Sequence, residues 1–103
     1  MTEQKTHPRS NCPLCRLYEQ REISTRFYYE NALVIIVDCL TCSIPMVVLK
    51  RHTDNPSRED IKEMYWALLN KVPKRMHGKG WQIDSSVRSI PDHPHFHLRP
   101  TGK

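Results

Sequence analysis

The stretch Asp92-His93-Pro94-His95-Phe96-His97-Leu98 decides how this chain is read. Successive side chains of a β-strand point to opposite faces, so the three histidines share one face while Pro94, Phe96 and Leu98 take the other. Residues two apart along a strand stand roughly 7 Å from each other, which puts His93 and His97 about 13 Å apart and unable to share one ion. The three rings must therefore divide their work. An isolated histidine is ordinarily a solvated surface side chain. Three in strict alternation beside apolar partners ask for a different explanation.

A strand with one apolar face needs a sheet and a core, and the rest of the chain supplies both. Phe27-Tyr28-Tyr29 reads as one strand and Leu33-Val34-Ile35-Ile36-Val37 as the next, with Glu30-Asn31 turning between them. Ile44 to Lys50 gives a third strand, with Pro45 near its start where a missing donor is tolerated. Ser57 is placed to cap a helix whose first turn carries Glu59 and Asp60. Ile61, Met64, Tyr65, Leu68, Leu69 and Val72 then recur at helical spacing as a core stripe, closed by Pro73. Lys74 to Lys79 is a basic loop leading to a fourth strand at Trp81-Gln82-Ile83, and Leu14 to Ile23 suits a short helix. The expected fold is α+β, an antiparallel β-sheet of about five strands with one main helix packed on it.

The 103 residues are enough for one core, expected over residues 12–103 behind a flexible leader of residues 1–11. A net charge of +5 favours anionic partners, although the basic residues form short clusters rather than a nucleic-acid arm. No segment approaches the ~18 consecutive apolar residues of a membrane span, and the polar start is unlike a signal peptide. A soluble cytoplasmic protein without a membrane partner is expected. In that reducing compartment the four cysteines are read as metal ligands or thiols before they are read as disulfides.

At one end of the histidine row, His93 can join Cys12, Cys15 and His52 in a Cys2His2 set that suits tetrahedral zinc. The middle ring, His95, stays free. A neutral imidazole whose second nitrogen is held by a carbonyl is a competent nucleophile toward phosphorus, and His97 can orient or charge-stabilise phosphoryl oxygens.

These landmarks resemble the histidine triad family, whose His-φ-His-φ-His-φ-φ pattern, with φ hydrophobic, is similar to His93-Pro94-His95-Phe96-His97-Leu98-Arg99; Arg99 replaces the last apolar position. Zinc-containing branches begin with an element like Cys12-Pro13-Leu14-Cys15. Tyr29-Glu30-Asn31 with Leu33 to Asp38 resembles their first hairpin, and Val48-Leu49-Lys50-Arg51-His52 their next strand. The resemblance spans Cys12 to Pro100. It implies a structural zinc ion on Cys12, Cys15, His52 and His93, a nucleotidyl-histidine intermediate on His95, and His97 against the phosphate. It further implies a homodimer acting on a nucleotide or nucleotidylated substrate, and the basic charge keeps adenylylated nucleic acid open as one. The family's glycine-rich turn before the triad is replaced by the glycine-free Asp84 to Asp92, where Ser86, Arg88 and Ser89 are the candidate substrate-binding donors.

Two rivals use other features. Cys39-Leu40-Thr41-Cys42 completes a C-x2-C-x23-C-x2-C pattern with the first pair, a spacing open to a four-cysteine zinc ribbon that binds nucleic acid. That reading leaves His52 and the alternating histidines unused. The other rival is a catalytically silent relative that only binds nucleotide. Tyr65 and Trp66 are read as packing, and Phe27 and Trp81 as core or as borders of a purine pocket.

Overall fold

β-Branched residues fill the centre of the sheet. The computed structural model describes residues 12–40, 43–73, 80–85 and 92–100. The leader and the loop from Lys74 to Lys79 lie outside the described residues. In chain order the elements are α1 (Pro13–Glu19), β1 (Phe27–Glu30), β2 (Val34–Asp38), β3 (Pro45–Leu49), α2 (Arg58–Lys71), β4 (Trp81–Asp84) and β5 (His95–Pro100). The five strands form one antiparallel sheet in the order β1-β2-β3-β5-β4. Every side chain of β3 is buried, as are the first four of β2, so both faces of the sheet centre are covered. No described helix is long and apolar enough to cross a membrane.

Pairing sets the two faces. Val34, Ile36, Val47, Leu49, Phe96 and Leu98 point to one side and pack against Met64, Ala67, Leu68 and Val72 of α2. Ile35, Val37, Met46 and Val48 point to the other and form a second cluster with Cys12, Leu14 and Cys15 around α1. Because Val48 pairs with His95 and Met46 with His97, the second face carries two rows across the sheet, Ile35-Val48-His95 and Val37-Met46-His97. Within β5 the expected alternation holds from His95 to Leu98, with Phe96 and Leu98 serving the α2 core, whereas His93 and Pro94 precede the strand.

The start of α2 is a capping box. The Asp60 N–H donates to Ser57 Oγ at 3.1 Å, and the Ser57 N–H donates to Asp60 Oδ2 at 2.9 Å. Arg51 also donates to this carboxylate. Burial alone would raise the Asp60 pKa, but the Ser57 hydrogen bonds and the Arg51 charge outweigh it and hold the carboxyl below its ordinary value.

The expected helix stripe needs one correction. Leu69 is 52% exposed, whereas Ala67 is fully buried. Leu69 lies about 100° around the helix from Leu68, beyond the face that meets the sheet. Trp66 also lies largely outside, at ring-edge contact with Tyr29 and 5.5 Å from the Lys71 ammonium, while Tyr65 packs on Phe96. Phe27 is exposed on the edge strand, and half-buried Trp81 packs against the α2 core.

Candidate metal centre and the adjoining histidine row

Cys12 and Cys15 come together because a helix begins between them. Pro13 occupies the first turn of α1, where its missing N–H is of no consequence, and the Arg16 N–H donates to the Cys12 carbonyl. The three-residue spacing turns both sulfurs to the same side. His52 and His93 meet them because β3 and β5 are antiparallel neighbours: the chain leaving β3 and the chain entering β5 lie at the same end of the sheet. The Leu49 N–H donates to the Pro94 carbonyl there at 3.1 Å.

The result is a tight four-residue cluster. Cys12 Sγ lies 3.4 Å from His93 Nδ1, and Cys15 Sγ lies 3.4 Å from His52 Nδ1 and 3.5 Å from His93 Nδ1. One ligand atom from each of Cys12, Cys15, His52 and His93 falls within 4.8 Å of all the others, a group that could hold a metal ion. Cys12, Cys15 and His93 are buried and His52 half-buried.

The surroundings orient these donors. His93 Nε2 faces the Leu49 carbonyl at 2.6 Å. A carbonyl can only accept, so the proton sits on Nε2 and the lone pair of Nδ1 is left facing the sulfurs. His52 Nε2 donates in the same way to Asp92 Oδ2 at 3.0 Å. Tyr18 donates its hydroxyl to Cys15 Sγ at 3.7 Å and sets its ring edge-on to His93. Burial pushes the His93 pKa down to about 4, against the pull of the Leu49 carbonyl, so the ring is neutral as a ligand must be. Burial likewise pushes the Cys15 thiol up to about 11, a proton that an incoming cation displaces.

His93 itself lies just before β5, which starts at His95. His95 Nδ1 donates to the His93 carbonyl at 2.8 Å, which leaves the lone pair of a neutral His95 ring on Nε2. Burial holds the His95 pKa below the usual imidazole value. His97 stands next in the row, its ring centroid 5.7 Å from that of His95 at an interplanar angle of 75°. The two residues are 6% and 9% exposed, so the middle histidine, expected to stay free, is nearly enclosed.

On the same face lies a cavity of about 520 Å³, walled by Leu14 and Leu17 of α1, by Ile23, and by Val37 and Met46 of the sheet, with Asp38 at its margin. Met46, on its wall, is the cross-strand partner of His97. Tyr28 donates its hydroxyl to Asp38 Oδ1 at 2.7 Å.

Of the residues singled out in the sequence, the fold brings Cys12, Cys15, His52 and His93 into one cluster and sets His95 and His97 beside it. Ser86, Arg88 and Ser89 lie outside the described residues, as does Cys42. Cys39 is half-buried beside the second core, and the four-residue group does not include it. The sequence reading gave no role to Asp92, Tyr18 or the Leu49 carbonyl, nor to the cavity. An acidic residue directly before the first histidine was a usable signal for Asp92; the cavity joins α1 to β2 and β3 and has no local signature. No protein-family model matches the chain, and no curated protein matches it significantly.

Proposed function

We propose that the chain is a zinc-binding histidine triad protein that transfers or hydrolyses nucleotidyl groups, with His95 as nucleophile. The observation that carries this reading is the His95 Nδ1 hydrogen bond to the His93 carbonyl, which aims a basic Nε2 away from the backbone. The donor set supports zinc. With Zn–S of about 2.3 Å and Zn–N of about 2.0–2.1 Å, a tetrahedral site has sulfur–nitrogen edges of roughly 3.5–3.6 Å. The corresponding sulfur–nitrogen contacts here are 3.4 to 3.5 Å. Four protein ligands leave no open position, so the zinc is structural.

In this mechanism Nε2 of His95 attacks the α-phosphorus of a nucleoside phosphate ester, anhydride or phosphoramidate. The leaving group departs protonated, and water then cleaves the phosphorus–nitrogen bond to free the monophosphate. Dividing one displacement into two lowers each barrier. His97 orients a phosphoryl oxygen, and the cavity, with apolar walls and Asp38 among the charged residues of its lining, is of a size suited to base and sugar. The reading includes a homodimer, and the charge of +5 keeps adenylylated nucleic acid among its substrates.

The 6% exposure of His95 favours a second reading, a silent protein that binds nucleotide without turning it over. Incubation with a panel of labelled adenylates separates the two. The first reading expects a trapped nucleotidyl-histidine that His95→Asn abolishes; binding without labelling supports the second; neither binding nor labelling contradicts both.

A further inference from the structure

We infer that α1 couples the metal centre to the cavity, so that ligating the ion builds one wall of the ligand site and filling the cavity tightens the hold on the ion. The identity of the cavity's occupant rests on the nucleotide reading above; the coupling itself does not.

The helix has two jobs on two sides. Cys12 at its N-cap and Cys15 in its first turn supply two of the four ligand atoms. Pro13, Leu14, Arg16 and Leu17 line the cavity, and the chain leaving the helix continues the same wall through Ile23 to Thr25. The opposite wall, with Val37 and Met46, belongs to the central sheet and needs no help from the ion.

Apart from the cysteines, the helix wall is held mainly by side-chain packing. Seven residues are too few for a stable isolated helix, and no side chain caps its N-terminus. The chain turns out of it at Arg21 in a left-handed conformation, φ 56°, which is unfavourable for a residue with a Cβ. The mostly exposed Arg21 guanidinium pairs with both carboxylate oxygens of half-buried Glu30, and beyond it Thr25 Oγ donates to the Asp38 carbonyl at 2.6 Å. Between the ligand cysteines and Thr25, contacts of Leu14, Leu17, Tyr18 and Ile23 in the second core are the main restraint. Removing the ion leaves those contacts and the Arg21–Glu30 pair to hold residues 12–24. Linkage requires the converse: a ligand that needs the wall favours the metal-bound state by the same factor.

The test uses the full chain, loaded with Zn²⁺ or stripped by a chelator. Hydrogen exchange is expected to show protection lost over residues 13–24 on stripping, retained in β2 and β3, and restored by Zn²⁺. With adenosine 5′-monophosphate as probe, affinity is expected to fall at least tenfold on stripping, and the monophosphate should raise zinc affinity by the same factor. Unchanged protection over residues 13–24 overturns the inference. So does loss of protection throughout β2 and β3, which would mean that the ion holds the whole fold, or equal affinity of both forms for the monophosphate. If the loaded protein does not bind the monophosphate, the nucleotide reading falls and the exchange result alone decides the coupling.

Discussion

The His95 ring donates from Nδ1 to the carbonyl of His93, 2.8 Å away, and His93 is itself one of the four clustered donors. One residue therefore touches both sites, its ring facing the sulfurs and its backbone fixing the tautomer of the next imidazole. His95→Asn keeps a polar side chain but removes the basic nitrogen. The variant is expected to bind zinc and fold like the parent while losing all nucleotidyl labelling, as measured by zinc stoichiometry, circular dichroism and mass spectrometry of the quenched reaction.

Asp92 makes a prediction independent of catalysis. Its carboxylate accepts from His52 Nε2 at 3.0 Å and so keeps the ligating nitrogen unprotonated. Asp92→Asn should weaken zinc binding by roughly 10-fold or more, the usual scale for outer partners of a ligating histidine. Competition against a chromophoric chelator reads this directly.

Asp60 ties stability to acid. Its folded pKa lies below the ordinary 3.8, so its contribution is complete above that value and is lost as pH falls through the lower folded pKa. Urea unfolding at pH 7 should show Ser57→Ala less stable by about 1 kcal/mol through loss of the cap. Asp60→Asn should likewise be less stable at pH 7, and its gap from the parent should narrow as the pH is taken below 3.8.

The two adjacent leucines of α2 should behave oppositely. Leu68 is fully buried against the sheet, so Leu68→Ala should cost about 2–5 kcal/mol. Leu69 is mostly exposed, and Leu69→Ala should fall within about 0.5 kcal/mol of the parent. Chemical denaturation of both variants checks the helix orientation.

The strands were legible because alternation and β-branched runs are local properties: Val34 to Val37, Met46 to Leu49 and the His95-Phe96-His97 row all fall where period two places them. Residue chemistry allowed the Cys2His2 set but also a four-cysteine set, and the resemblance to histidine triad proteins favoured the former. Leu69 was misread because helical spacing gives a stripe without stating its width; the sheet decides how much of it is covered. The near enclosure of His95 and the cavity beside Met46 depend on how α1 lies across the second face, which no local pattern encodes.

X-ray absorption at the zinc edge of the purified protein, with Cys39→Ser/Cys42→Ser alongside, tests the central arrangement most directly. The account expects one zinc per chain in both proteins, with two sulfurs at about 2.3 Å and two nitrogens at about 2.0–2.1 Å. A four-sulfur shell that disappears in the double variant would contradict it.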